Sequence, residues 1–179
     1  MHRLFVAIRP PETFREILLD LMEGVPDLRW QQDEQLHLTL RFIGEVERPM
    51  AEDIAAELGR IRFEPFTLAL SGVGKFEKHR HGTLWAGVAP KDPLKALNAK
   101  VERACQSAGL EPERRAYHPH ITLARWKGRA AGLERFVERH ASLTSEPWDV
   151  DEVILYESRL GREGAHYEAV ERYPFTSSA

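Results

Sequence analysis

What most constrains this chain is a short string that it carries twice, His37-Leu38-Thr39-Leu40 and His120-Ile121-Thr122-Leu123. On a strand, side chains two apart share a face. His37 and Thr39 therefore stand together while Leu36, Leu38 and Leu40 turn to a core, and Ile121 and Leu123 leave His120 and Thr122 together in the same way. Composition alone, with 8 His and 7 Thr in 179 residues, gives about 0.3 His-x-Thr strings by chance, yet the chain has three. The third, His81-Gly82-Thr83, lacks the apolar middle residue and reads as a loop residue at a strand start.

The surroundings repeat as well. His37 lies 29 residues before Phe66 and His120 lies 28 before Trp148; from His37 to Gly82 is 45 residues and from His120 to His166 is 46. Periodicity predicts strands over 4–8, 36–46, 66–70, 84–88, 120–124, 150–156 and 167–170. It predicts helices over 10–23, 50–60, 93–108 and 133–140, with a Gly, Lys and His-rich loop over 71–83 and a polar tail over 176–179. The agreement of the two intervals suggests a duplicated strand-helix-strand-strand unit. The expected fold is therefore α+β, a bilobal pseudo-two-fold duplication in which two antiparallel sheets face a central cleft with helices packed outside. We expect residues 1–179 to form a single domain of two intertwined, similar lobes, since no linker or biased stretch interrupts the pattern.

Composition excludes several classes of function. A chain with 42% hydrophobic and 30% charged residues reads as a soluble globular protein. A net charge of -3 argues against coating nucleic acid through an overall basic field, so any nucleic-acid contact is local. The lone Cys105 rules out an intrachain disulfide and thiolate-rich zinc sites, and fits a reducing compartment. No apolar run approaches a membrane span and the N-terminal one is too short for a signal peptide, so we expect a cytoplasmic protein with no membrane partner.

If the halves are related by a two-fold, the two His/Thr pairs face each other across one cleft, and that geometry suits phosphoryl chemistry. One imidazole takes a proton from water while the other, protonated, gives one to the leaving oxygen, and the ordinary histidine pKa allows both states near neutrality. The threonine hydroxyls donate to non-bridging phosphate oxygens. This scheme calls for no metal and no other cofactor.

These residues resemble a known family, the RNA 2′,3′-cyclic phosphodiesterases, also called 2′-5′ RNA ligases, of the two-histidine phosphoesterase superfamily. The resemblance spans nearly the whole chain: LFVAI over 4–8, LHLTLRFIG over 36–44, LWAGV over 84–88, HPHITLAR over 118–125, and LYESRL over 155–160 followed by Tyr167. It implies hydrolysis of a terminal 2′,3′-cyclic phosphate on RNA to a 2′-phosphomonoester, with reversible 2′-5′ ligation as a side activity. In that scheme His37 is the proton donor to the departing 3′ oxygen, His120 is the acceptor that activates water, and Thr39 and Thr122 hold the phosphate. The partner is RNA with a cyclic phosphate end or a related nucleotide, and we expect a monomer. Two alternatives remain at this point: the same chemistry on another small cyclic phosphate or a 2′-5′ oligonucleotide, and a binding module that has kept the cleft but not the reaction.

Other residues have a functional and a structural reading side by side. By alternation Arg41 shares the face of His37 and Thr39 and is a candidate for substrate phosphate, or else a solvated strand-end arginine. Strict alternation puts Arg125 on the face opposite His120, and only a bulge or the strand's end gives it a cleft role. Tyr117, Trp30 and Phe42 either stack on bases or pack. Lys75, Lys78, His79, Arg80 and His81 form a local basic loop that either guides RNA or is a solvated turn. His118-x-His120 and His79-x-His81 invite a zinc reading, but no carboxylate or cysteine stands at a familiar spacing from either.

Overall fold

Alternating burial fixes the strands in this computed structural model, which describes residues 1–176; the last three residues of the expected polar tail lie outside them. The strands are β1 (His2–Ile8), β2 (Arg29–Trp30), β3 (Leu38–Val46), β4 (Phe66–Lys78), β5 (His81–Ala89), β6 (Ile121–Lys127), β7 (Trp148–Val150), β8 (Glu152–Gly161) and β9 (Gly164–Pro174). The helices are α1 (Glu12–Leu21), α2 (Arg48–Leu58), α3 (Asp92–Ser107) and α4 (Leu133–Arg139). Proline opens α2 and α3, where the missing N–H costs nothing. Among the described residues no helix is long and apolar enough to cross a membrane.

The fold is α+β and its strand pairs are antiparallel. The strand order is β7-β4-β5-β6-β3-β1-β8-β9, with β2 also paired to β6. At the centre, β3 and β6 share one register pair, Leu38 with Ile121. The sheet is thus two four-stranded halves hinged at a narrow seam, with β2 taking the stretch of β6 that β3 leaves. One face carries the main core, where Leu4, Val6, Leu36, Leu38, Leu40, Ile121 and Leu123 meet Leu18, Ile54, Leu97, Val101 and Phe136 of the helices. The other face carries a small second cluster of Phe5, Ala7, Ile154 and Tyr156. The continuous apolar run of β1 follows from that double burial: its odd and even positions serve different clusters.

Two sequence expectations change. The stretch 71–83 is not a loop, because β4 and β5 run on as a hairpin to a tip at His79 and Arg80. Its glycines mask the alternation for a packing reason. A Cβ on Gly74 would overlap the Trp85 ring, and one on Gly82 would overlap the Trp126 ring and the Phe76 carbonyl. The repeat also has a different phase. β5 lies inside the sheet beside β6 while β9 pairs with β8 alone, so the strand from Gly82 is not the counterpart of the one containing His166. The order that recurs is β1-α1-β3-α2-β4 followed by β5-α3-β6-α4-β7/β8, with β9 added at the end. Interval matching alone does not reveal which strand pairs with which.

Leu38 is fully buried at the seam. Leu38→Ala is expected to cost about 2–5 kcal/mol in urea unfolding. A loss well under 1 kcal/mol would mean that the seam does not hold the two halves together.

Candidate active site

The seam decides where the four motif side chains point. Leu38 and Ile121 are paired and both are fully buried on the helix side. Their chain neighbours therefore turn to the opposite face, which sets His37 and Thr39 beside His120 and Thr122. All four are half-buried. Neither threonine hydroxyl bonds another described residue. Tyr117 donates from its hydroxyl to the Thr39 carbonyl at 3.1 Å, tying the second motif's approach to the first. That bond and its place against the main core give Tyr117 the packing reading. Trp30, likewise packed, tilts onto Phe136.

Each imidazole rests in an aromatic bed. Phe5 stacks on His37 at 4.9 Å between centroids, and Tyr167 meets the same ring edge-on at 4.9 Å. Phe76 is edge-on to His120 at 5.1 Å, with Trp85 tilted at 6.2 Å. Sequence reasoning did not give Phe5, Phe76 or Trp85 a place at the site; the signal was the aromatic in LFVAI and in LWAGV, which enter the two beds from β1 and β5.

Burial shapes the titration of both rings. It lowers His37 to about 3, helped by the neighbouring Arg9 cation, whose guanidinium bonds the Leu36 carbonyl just before the motif. His120 is also lowered, chiefly by burial and further by Arg125 and His118, against a raising hydrogen bond to the His118 backbone. That bond, at 2.6 Å between His120 Nδ1 and the His118 carbonyl, places a proton on Nδ1 and leaves Nε2 as the free basic nitrogen. The expectation of an ordinary histidine pKa is therefore corrected: burial lowers both rings, and His37 far below the usual range, because a drier site disfavours the charged form.

The arginine expectations reverse. In the β1–β3 register Val6 pairs with Arg41 and Ala7 with Thr39, so Leu40 is an extra, bulged residue. Arg41 consequently turns inward and is 7% exposed. It is bonded to Glu102 of α3 at 2.6 Å and to the Phe42 and Glu111 carbonyls. It is not placed for substrate, and Phe42, 48% exposed, takes the cleft face instead. β6 bulges at the matching Leu123, since Leu84 pairs with Ala124 and Trp85 with Thr122. There the bulge turns Arg125 to the cleft face, bonded to Thr83 Oγ1 at 3.2 Å and close enough to His120 and Tyr167 to influence both. The extra carbonyls are satisfied: Asn98 Nδ2 donates to Leu40 O and the Gln31 N–H to Leu123 O, each at 2.8 Å.

Lys75 leaves the expected basic loop, facing away from the cleft toward Glu77 and Glu134. A concavity of about 590 Å³ on that side, lined by Lys75, Arg129 and Arg135, includes none of the motif residues. Among the described residues no three His, Cys, Asp or Glu side chains converge as metal ligands, the His118 and His79 pairs included.

A model of the 2′-5′ RNA ligase superfamily matches residues 10–162. The chain is 36% identical over 159 residues to an RNA 2′,3′-cyclic phosphodiesterase of Aeropyrum pernix, covering 87% of this chain and 90% of that one. Over 185 residues it is 30% identical to the protein of the same name from Escherichia coli, covering 97% of each. Its structure is similar to that of E. coli LigT complexed with 3′-AMP, with a TM-score of 0.82, 30% identity, and coverage of 98% of this chain and 99% of that one.

Removing Arg41 is expected to destabilise rather than to weaken ligand binding. Burial pushes the Glu102 carboxyl up, but hydrogen bonds from Arg41, Glu113 N–H and Gln106 outweigh it and hold it low. Arg41→Ala should cost about 3–5 kcal/mol in denaturant unfolding, and Arg125→Ala less than about 0.5 kcal/mol while weakening binding of inorganic phosphate. The reverse pattern would contradict the bulge assignment. Because folded His37 titrates near 3 and unfolded histidine near 6.5, its contribution to stability is present above pH 6.5 and lost as pH falls toward 3. His37→Phe should flatten the decline in unfolding free energy between pH 7 and pH 4; an unchanged decline would mean that His37 is not held neutral.

Proposed function

The chain belongs to the 2′-5′ RNA ligase superfamily, and from that premise we propose that it is an RNA 2′,3′-cyclic phosphodiesterase. The reading is carried by one observation, two histidines and two threonines with unengaged hydroxyls on one face of the seam, around the buried Leu38–Ile121 pair.

In the reaction we propose, His120 Nε2 takes a proton from water as the oxygen attacks phosphorus. The bond from phosphorus to O3′ breaks, and protonated His37 gives its proton to O3′, leaving a 2′-phosphomonoester. Thr39 and Thr122 donate to the non-bridging oxygens, and Arg125 replaces Arg41 as the cation that meets the negative charge. The assignment of His120 as base is supported by its Nδ1 bond to the His118 carbonyl. His37 is neutral in the free protein at pH 7, so its role as donor requires that the ring take up a proton from solvent as the substrate binds, when the anionic phosphate offsets the cost of burying the charge. Run with a 5′-hydroxyl in place of water, the same proton transfers give a 2′-5′ phosphodiester.

We read residues 1–179 as one domain whose lobes exchange strands, acting as a monomer because one chain supplies both histidines. A cytoplasmic location is supported by the use of a single, buried cysteine, Cys105, which leaves no intrachain disulfide for the fold to depend on.

Incubation in chelator with a short RNA ending in a 2′,3′-cyclic phosphate is expected to give a 2′-phosphate product, resolved from the 3′ isomer by chromatography. His37→Ala and His120→Ala should each lower kcat by about 10²–10⁴. Near-normal turnover in either variant would refute the two-histidine scheme, and a 3′-phosphate product would overturn the choice of leaving oxygen.

A further inference from the structure

The strand register places three rows of side chains on the cleft face of the β4–β5–β6 half-sheet. Gly74, Trp85 and Thr122 form the first row, at the motif. Phe76, Thr83 and Arg125 form the second, and Lys78, His81 and Lys127 the third, at the outer end of the hairpin. Residues in register share a face, and rows two residues apart lie about 7 Å from each other. That step is of the same order as the distance between successive phosphates of an extended strand.

All three side chains of the outer row are exposed, and none makes an ion pair or hydrogen bond with another described residue. Lys75, on the opposite face of the same strand, has two carboxylate partners. The row is also held in place: Gly128, which follows β6, donates its N–H to the Arg80 carbonyl and fastens the tip to the neighbouring strand. The other half-sheet carries no such cationic row among its described residues. At the corresponding outer end of its cleft face Arg3 stands opposite Glu45, so the charges are mixed. In a chain with net charge -3, one arm of the cleft carries two lysines, Lys78 and Lys127, with no carboxylate among their register partners, and the other a single arginine opposite a glutamate.

We infer that Lys78, His81 and Lys127 form a subsite for a backbone phosphate of single-stranded RNA, one or two linkages 5′ of the terminal cyclic phosphate. The RNA leaves the cleft over the β4–β5 hairpin, past the exposed Phe76 ring, and not over β8 and β9. This rests on the phosphodiesterase reading above and deepens it: the preferred substrate is an oligonucleotide rather than a cyclic mononucleotide. The contact is electrostatic and independent of base sequence.

The test compares two substrates, a nucleoside 2′,3′-cyclic monophosphate and a short oligoribonucleotide ending in the same cyclic nucleotide, on the unaltered protein and on K78Q/K127Q. The double variant is expected to lose about tenfold in kcat/KM on the oligonucleotide, with a salt dependence of log KM shallower by about 0.7 to 1.4. Its turnover of the mononucleotide should be unchanged. Equal turnover of the oligonucleotide by both proteins, or an equal loss on both substrates, would overturn the subsite. Failure of the unaltered protein to hydrolyse either substrate would overturn the phosphodiesterase reading and the subsite with it. Binding of a 2′-phosphate-ended oligonucleotide, followed by fluorescence anisotropy, should weaken in the variant in the same proportion.

Discussion

Leu38 and Ile121 meet as a single register pair, and most of what distinguishes this molecule depends on how little else joins β3 to β6. A longer ladder would make one flat-running sheet with its face covered from edge to edge. One pair fixes the two strands where the motifs begin and lets them part beyond it, with β2 satisfying β6 on the diverging side. The burial of these two side chains commits their neighbours to the other face, so the same contact that holds the halves together also places two histidines and two threonines on the cleft face. Stability and site geometry are thus consequences of one packing event.

The paired bulges act on that frame. At Leu40 and Leu123 the strand gains a residue and the alternation slips by one, with the freed carbonyls taken up by Asn98 and Gln31. Because the slip occurs at the last residue of each motif, the fourth residue past each histidine turns inward and the fifth turns to the cleft: Arg41, at the fourth place, becomes a structural cation bound to α3, and Arg125, at the fifth, becomes the cleft cation. The aromatic beds add a second control. They exclude water around each imidazole, which lowers both pKa values and makes the charged state of His37 depend on an anion in the cleft. A site of this kind holds its acid uncharged until there is a phosphate to protonate against.

Much of this was legible in the sequence because it is written as periodicity. Leu36, Leu38, Leu40, Ile121 and Leu123 are buried where alternation puts them, and the helix stripes of α3 fall at Leu94, Leu97, Val101, Ala104 and Cys105. What was not legible involves events that periodicity cannot register. A bulge changes the face of every later residue without changing composition, which is why Arg41 and Arg125 exchange roles. Gly74 and Gly82 read as loop residues but are spaces left for tryptophan rings. The basic segment near the tip looked uniform, yet strand geometry divides it, sending Lys75 to α4 and Lys78 to the cleft.

The central claim is that His37 and His120 act on one phosphate and that His37 gains its proton only when that phosphate is bound. The most direct measurement is an NMR titration of imidazole-labelled protein with inorganic phosphate at pH 7, following both rings together. Both are expected to respond along one binding curve, with His37 changing from neutral to protonated as the site fills. A response from only one of the two rings, or a His37 already charged in the free protein, would contradict it.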